Sequence, residues 1–289
     1  MMLVLIRRNW RAKKMINQTR TSTFLIFFVG LLLVISLAFE VRAQSTTGHL
    51  ETILSSKKVR VCIWPDYYGI TFRNPKTQLL EGVDAEMALE LGKDLGVSVE
   101  FVDSSFANLV ADVTGKKCDL AMFAVGVTPQ RAEKLRFTQP TLVSDIYGIT
   151  TRTNRHIKTW ADIDQPGVVV AVMKGTLHEP VMRERLKAAT LKVVDSPMAR
   201  EQEVTSGRAD VFMTDYPYSR RMLETTDWAR LVSPTSLFHA TAYAYAYAMA
   251  PGDEKWALRL EQFVRDIKKD GRLMKSALRY KLNPIVVKP

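Results

Sequence analysis

Three polar residues follow apolar segments of the sequence, where side chains are well placed to meet a ligand. Arg131 comes shortly after the apolar run that ends at Gly126, Thr176 follows VVVAVM, and Asp215 follows ADVFMT. An arginine offers a planar set of donors that fits a carboxylate. A carboxylate such as that of Asp215 can accept from an ammonium, and a Gly-Thr turn at a helix start favours anions. Together these residues predict a site for a zwitterion of amino-acid type.

Each of these residues also has an ordinary structural interpretation. Arg131 can be a solvated helix residue that pairs with Glu133 or Glu201. Asp215 can be the N-cap of the helix that follows it, and Thr176 can cap a helix in the same way. The sequence alone leaves these alternatives open.

Aromatic residues lie at the ends of two predicted strands. Trp64 and Tyr67 belong to WPDYY, at the end of the strand KVRVCIW (58–64), and Phe106 follows the strand VSVEFVD. We expect Tyr67 and Phe106 to enclose an apolar part of the ligand, with packing beneath a loop as the alternative.

Basic residues are concentrated at the N-terminus, and this distribution bears on the class of protein. The formal net charge is +11, but residues 1–43 contain seven basic residues and one acidic residue. The rest of the chain holds 34 basic and 29 acidic residues, without a basic stripe that interleaves with aromatics. Nucleic-acid binding is therefore not expected.

The same N-terminal segment has the pattern of a secretory signal peptide. A basic region precedes the sixteen nearly continuous apolar residues Phe24–Phe39, and Val41-Arg42-Ala43 places small residues where signal peptidase cleaves. This run is shorter than the roughly twenty residues that span a bilayer. An uncleaved inner-membrane anchor is the alternative, and Met15 is a second candidate start. In both cases we expect the bulk of the chain to be exported to the periplasm.

Export permits disulfide bonds, and the chain has two cysteines, Cys62 and Cys118. Cys62 lies late in one predicted strand and Cys118 opens another. If the strands are parallel with level carboxyl ends, the cysteines are offset by about five residues of roughly 3.3 Å each, which is beyond disulfide reach. We therefore expect two reduced thiols. The four histidines are scattered, so neither a metal site nor a cofactor is expected.

From residue 58 onwards, short apolar runs alternate with segments of helical periodicity. The predicted helices are VDAEMALELGKDLG (83–96), FANLVADVTG, LHEPVMRERLKAA (177–189) and MAREQEVTSG (198–207), and the intervening strands include CDLAMFAV (118–125), VVVAVM (168–173), LKVVD and ADVFMTD (209–215). This alternation is typical of parallel sheets with crossover helices. The strict alternation in TAYAYAYAMAPGD (241–253) predicts a further strand, which precedes a helix at 254–271.

We expect an α/β fold of two lobes, each a mainly parallel sheet flanked by helices. Residues 44–147 and 248–289 are assigned to lobe 1 and residues 148–247 to lobe 2. Segments near 147–153 and 241–249 are the predicted hinge strands, about which a cleft can close on a ligand. In open α/β sheets, ligands lie outside the carboxyl ends of the strands.

The order of these motifs resembles the amino-acid-type solute-binding proteins of ABC transporters (family 3, type II periplasmic fold). The matching stretches run in family order from WPDYYGITF to YAYAMAPGD, within residues 57–280. The resemblance implies a monomeric, non-catalytic protein that traps a small carboxylate-bearing, amino-acid-like ligand and delivers it to a permease in the inner membrane.

The resemblance also implies a role for each candidate residue. The arginine of the TPQR motif, Arg131, would grip the ligand α-carboxylate, and Asp215 would take the α-ammonium. The G-T turn would add donors at Thr176, and Tyr67 and Phe106 would form the aromatic walls.

Two positions depart from the family pattern. The family usually has Ser or Thr where this chain has Gly126, so only a backbone N–H remains there for the carboxylate. Members that select cationic side chains tend to have an acid at the position of Trp64, and the tryptophan therefore argues against a basic amino acid as ligand.

An enzyme on the same scaffold is the main alternative. IDQPGV and the following GT…E are similar to exported cyclohexadienyl (arogenate/prephenate) dehydratases, which need a general acid to expel hydroxide. Glu179 is the candidate acid, with His178 beside it, although a glutamate in the first turn of a helix ordinarily complements the helix dipole. A third interpretation, the sensor module of a signalling receptor, predicts a fused output domain.

Overall fold

The computed structural model describes residues 48–234 and 243–289. The predicted signal segment, with its alternative as an anchor, lies outside these ranges, as does the start of the second predicted hinge segment. Within them, no helix combines the length and the apolar character that crossing a bilayer requires.

Strands and helices alternate along most of the described chain. The strands are β1 (Lys58–Ile63), β2 (Asp66–Tyr67), β3 (Thr71–Arg73), β4 (Leu80–Glu81), β5 (Ser98–Asp103), β6 (Leu120–Gly126), β7 (Arg136–Phe137), β8 (Leu142–Ser144), β9 (Tyr147–Thr151), β10 (Val169–Met173), β11 (Thr190–Val194), β12 (Val211–Thr214), β13 (Ala229–Val232) and β14 (Tyr243–Met249). The α-helices are α1 (His49–Ser56), α2 (Val83–Leu95), α3 (Leu109–Thr114), α4 (Pro129–Ala132), α5 (His178–Arg185), α6 (Pro197–Thr205), α7 (Tyr216–Thr225), α8 (Glu254–Lys269) and α9 (Arg272–Arg279), with short 3-10 helices at Trp160–Asp162 and Asn283–Ile285.

The first sheet has the strand order β5–β1–β6–β14–β7, and β8 pairs with the first three residues of β14. Strand β1 is parallel to β5 and β6, whereas β14 runs antiparallel to β6, β7 and β8. Every residue of β6, LAMFAVG, is buried, as expected for a central strand covered on both faces. We call this sheet, its helices and the small β2–β3–β4 sheet lobe 1.

The second sheet has the order β11–β10–β12–β9–β13 and forms lobe 2 with its helices. Strand β10 is parallel to β11 and β12, and β9 is antiparallel to β12 and β13. The prediction of an α/β fold with two helix-flanked sheets is confirmed. In each sheet three parallel strands form one side. Antiparallel pairing completes the other side, through β14, β7 and β8 in the first sheet and through β9 and β13 in the second.

The prediction of two reduced thiols is wrong, because Cys62 and Cys118 form a disulfide with their Cα atoms 5.5 Å apart. The carboxyl ends of β1 and β6 are not level, since Cys62 pairs with Ala121 near the start of β6. Residues 117–119 form a bend before the strand, in which the N–H of Asp119 donates to the carbonyl of Arg60. This bend returns Cys118 to the side of β1, within the separation that a disulfide needs.

Candidate functional site

A small cavity of about 20 Å³, room for about one water molecule, lies between the two lobes, at the carboxyl ends of β1, β6, β10 and β12. Its polar lining residues are Thr176, His178, Arg200, Thr214 and Asp215, and the others are Trp64, Tyr67, Phe106, Ala124, Met173, Leu177, Tyr218 and Tyr245. Five predicted site residues, Trp64, Tyr67, Phe106, Thr176 and Asp215, are thus brought together. Arg131, Gly126 and Glu179 lie outside this lining.

Arg131 is held just behind the cavity wall by the turn after β6. Thr128 caps helix α4 by accepting from the N–H of Arg131 at 3.3 Å, and Pro129 occupies the first helical position, which it favours. The Arg131 side chain is 8 % exposed, and burial lowers its pKa to about 10, so it remains charged at neutral pH. No ion pair joins it to Glu133 or Glu201 in the described structure, so the interpretation as a solvated helix residue is excluded.

The guanidinium of Arg131 bonds to backbone carbonyls of both lobes. Its Nη1 donates to the oxygen of Gly126 at 2.6 Å, and its Nη2 donates to the oxygen of Gly175, in lobe 2, at 2.9 Å. The ring of Phe106 lies 5.8 Å from the Arg131 Cζ atom, within cation–π range. Among the described residues, this buried cation therefore has only neutral hydrogen-bond acceptors and an aromatic ring around it.

Asp215 uses its two carboxylate oxygens in different ways. Its Oδ1 accepts from the N–H of Tyr218 at 3.1 Å and so caps helix α7, as the structural interpretation predicts. Its Oδ2 accepts from the hydroxyl of Tyr67 and, at 3.1 Å, from that of Tyr245, both in lobe 1. Burial raises the pKa of Asp215 above its ordinary value. One oxygen thus stabilises the fold while the other faces the cavity.

The Gly-Thr turn directs its donors inward rather than towards the cavity. The hydroxyl and the N–H of Thr176 both point to the carbonyl of Met173, at 2.7 and 3.3 Å, and the N–H of Gly175 donates to Glu179. The turn lines the cavity, but the anion donors expected from it are satisfied by neighbouring residues. The Thr176 hydroxyl oxygen also lies 3.3 Å from His178 Nδ1, from which it can accept a hydrogen bond.

Three aromatic side chains form one wall of the cavity. The ring centroids of Trp64 lie 5.2 Å from those of both Tyr67 and Phe106, and Tyr67 and Phe106 are 5.8 Å apart. Such tilted and edge-to-face pairs stabilise one another. The wall is therefore a single packed cluster rather than two separated plates.

Gly126 faces Leu177 of lobe 2. A Cβ atom placed on Gly126 would lie 2.3 Å from the Cδ2 atom of Leu177, which is closer than atoms approach in proteins. The side chain of Leu177 therefore fills the space that the Ser or Thr expected from the family resemblance would occupy.

Sequence reasoning missed Arg200, which lies on helix α6 between Ala199 and Glu201 and lines the cavity. Arg200 is 3 % exposed, and its Cζ atom is 4.5 Å from the ring centroids of both Phe212 and Tyr218. Its Nη1 donates to the carbonyl of Met213 at 2.9 Å. No local pattern separates it from a solvated helix arginine. Tyr245 was also missed, although the alternation of YAYAYA (243–248) places it on one face of its strand.

Glu179, the candidate general acid, is not part of the cavity lining, and its carboxylate is hydrogen-bonded to neighbouring residues. Its carboxylate accepts from the N–H of Gly175 at 3.0 Å and from Arg183 at 3.1 Å. This is the behaviour of a first-turn glutamate that satisfies free N–H groups.

Residues 59–283 match the family model of the bacterial extracellular solute-binding proteins, family 3. The chain belongs to this family. Among its curated relatives, cyclohexadienyl dehydratase of Pseudomonas aeruginosa is 28% identical over 231 residues, which are 80% of this chain and 85% of that protein. The L-cystine-binding protein TcyJ of Escherichia coli is 23% identical over 194 residues, 67% of this chain and 71% of that protein.

Solved structures of amino acid-binding proteins share the two-lobed fold. An ancestral amino acid-binding protein described as a precursor of cyclohexadienyl dehydratase is 28% identical, with a TM-score of 0.73 over 80% of this chain and 98% of its own. The binding protein AbpA of Streptococcus pneumoniae, bound to L-arginine, has the same TM-score of 0.73 at 22% identity, over 81% of this chain and 98% of its own. At that identity the second likeness shows the fold alone.

Proposed function

We propose that this family 3 protein is a periplasmic binding protein that holds a small carboxylate-bearing, amino-acid-like ligand between its lobes and delivers it to an ABC transporter. The observation that carries the proposal is that the guanidinium of Arg131 and the carboxyl group of Asp215 are buried at the lobe interface, and neither has an ion-pair partner in the described structure. A buried charge is costly unless it is paired, and a zwitterionic ligand would pair both.

Ligand binding would exchange existing contacts for new ones. A carboxylate would replace the Gly175 carbonyl at Arg131, and an ammonium would replace a tyrosine hydroxyl at Asp215. The segments 147–153 and 241–249 would serve as the hinge that opens the cleft for this exchange.

The replacement of Arg131 by alanine tests the carboxylate contact. The Arg131→Ala variant is expected to lose the rise in melting temperature that a bound amino acid gives, because the charge that selects the carboxylate is gone. Arg136→Ala is the matched control, since Arg136 is only partly buried and pairs with Glu254 at the surface. A panel of free amino acids in thermal-shift measurements provides the readout. An Arg131→Ala variant that keeps the affinity of the wild type would contradict the proposal.

A second candidate function is a cyclohexadienyl dehydratase, favoured by the relative from Pseudomonas aeruginosa. In such a reaction carbon dioxide leaves, the ring becomes aromatic, and hydroxide departs as water after protonation by a general acid. Asp215, with its raised pKa and its place in the cavity, is better suited to carry that proton than Glu179. Incubation of the purified protein with prephenate and arogenate, with detection of phenylpyruvate and phenylalanine, separates the two candidates.

A further inference from the structure

His178 lies in the cavity lining but has no place in the ligand contacts described so far. It is the first residue of helix α5 and is 6 % exposed. Its Nε2 atom is buried and has no hydrogen-bond partner in the described structure. A buried polar atom without a partner is costly, and in a cavity it marks a position where a ligand can supply one.

The hydrogen bonds of Thr176 determine which nitrogen of His178 carries the proton. The Thr176 hydroxyl donates to the Met173 carbonyl at 2.7 Å, so it can only accept from the ring. The Nδ1 atom, 3.3 Å from that hydroxyl oxygen, therefore carries the proton and donates. The unpartnered Nε2 is left with a free lone pair and acts as a hydrogen-bond acceptor.

The surroundings of the ring keep it neutral. Burial, together with the positive charges of Arg200 and Arg131, lowers the pKa of His178 to about 3. The other titratable groups that line the cavity are Asp215 and the tyrosines Tyr67, Tyr218 and Tyr245. Asp215 is bonded to Tyr67, Tyr245 and the N–H of Tyr218 rather than to the ring.

We propose that His178 is a specificity-determining residue, which accepts a hydrogen bond from a neutral donor on the ligand side chain, a hydroxyl or an amide N–H. This inference rests on the proposed function and names the class of ligand: a polar, uncharged amino acid or a close analogue. A cationic donor is disfavoured because Arg200 and Arg131 already place two positive charges around the ring. A carboxylate is excluded as the partner of Nε2 because both carry only lone pairs.

Matched pairs of ligands test the inference. We compare L-threonine with L-valine, and L-asparagine with L-leucine, by isothermal titration calorimetry at pH 7.5. In each pair that binds, the wild type is expected to prefer the member with a donor by at least about tenfold, because the other leaves Nε2 without a partner. In His178→Leu this preference should disappear, whereas His178→Gln, which retains an acceptor oxygen, should restore part of it.

The exposed His156 provides the control, since His156→Leu should leave the preference unchanged. Equal affinities within the pairs would overturn the role of His178 and leave the proposed function intact. Failure of every pair to bind, together with an Arg131→Ala variant that behaves as the wild type with all amino acids, would overturn both.

The tautomer is tested without any ligand. Ring ¹⁵N chemical shifts of His178, assigned by comparison with His178→Gln, are expected to show protonated Nδ1 and unprotonated Nε2 from pH 5 to 8. A proton on Nε2 anywhere in this range would overturn the inference.

Discussion

Asp84 shows how a single carboxylate can support the backbone of the site. It is fully buried, and its Oδ2 accepts from the N–H of Ala124 at 2.7 Å. Ala124 lies in β6 beside the cavity with a φ of +48°, a left-handed conformation that non-glycine residues rarely adopt. Because burial disfavours the charged form, the pKa of Asp84 is raised to about 6.

This raised pKa predicts a pH dependence of stability. The folded protein binds the Asp84 proton more tightly than the unfolded chain, so the stabilisation is fully present below about pH 4 and is lost as the pH rises through 6. Between pH 4 and 7 the free energy of unfolding of the wild type should fall by on the order of 3 kcal/mol because of Asp84, and Asp84→Asn should remove this fall. Urea unfolding at several pH values measures it, with the exposed Asp103→Asn as control. An Asp84→Asn variant with the pH profile of the wild type would show that Asp84 does not titrate in this window.

At the residue scale, the sequence predicts a side chain well when a strand end fixes its position. Tyr67, Thr176 and Asp215 were expected from their places after apolar runs, and the structure brings them to one cavity. Arg200 was not, because the rings of Phe212 and Tyr218 that enclose it come from segments that meet only in the folded chain. The sequence also did not predict that the hydroxyl and N–H of Thr176 donate to the carbonyl of Met173, because these bonds depend on the geometry of the folded turn.

Element types were predicted more reliably than element ends. Helix α2 ends at Gly96, which adopts the left-handed conformation expected of a terminating glycine. Helix α5 stops at Arg185 instead of reaching residue 189. The carboxylate of Asp164 accepts from the N–H groups of residues 187–189 at 2.8 to 3.0 Å, which holds this segment out of the helix. Because Asp164 lies more than twenty residues earlier in the chain, the local sequence pattern of helix α5 does not reveal where the helix ends.

The disulfide between β1 and the bend before β6 should stabilise lobe 1. The two cysteines are 56 positions apart, and the segment between them contains strands β2, β3 and β4, helix α2, strand β5 and helix α3. Replacement of both Cys62 and Cys118 by alanine is expected to lower the free energy of unfolding by about 2–4 kcal/mol, with ligand affinity unchanged. Urea unfolding of the oxidised wild type and the variant measures the loss. Wild-type protein treated with reductant should behave as the variant does, and equal stability of all three samples would argue against the bond.

At the scale of the whole molecule, polar contacts from both sides join the lobes. Arg131 of lobe 1 donates to Gly175 of lobe 2, and the hydroxyls of Tyr67 and Tyr245 donate to Asp215. Gly175 has a φ of +76°, and a Cβ atom on it would lie 2.6 Å from the Cα of Ala107 in lobe 1. The lobes thus approach so closely that a glycine is required at this contact.

Removal of one of these bridges should shift the protein towards separated lobes. Tyr67→Phe keeps the ring of the aromatic wall but removes the hydroxyl that donates to Asp215. We expect this variant to have a larger radius of gyration in small-angle X-ray scattering, because its closed form is stabilised by one hydrogen bond fewer than that of the wild type. Tyr68→Phe, next along the chain, is the control. Identical scattering of the wild type and Tyr67→Phe would mean that this hydroxyl does not contribute to closure.

Because Gly126 and Leu177 are in contact, the effect of a substitution at one of these positions depends on the residue at the other. A side chain at position 126 meets the Cδ2 atom of Leu177 when the lobes are together, so Gly126→Ser requires the Leu177 side chain to move before the cleft can close. Leu177→Ala, made first, leaves a space that the serine can then occupy. We therefore expect the two substitutions to be coupled, with Gly126→Ser costing less in a Leu177→Ala background than in the wild type.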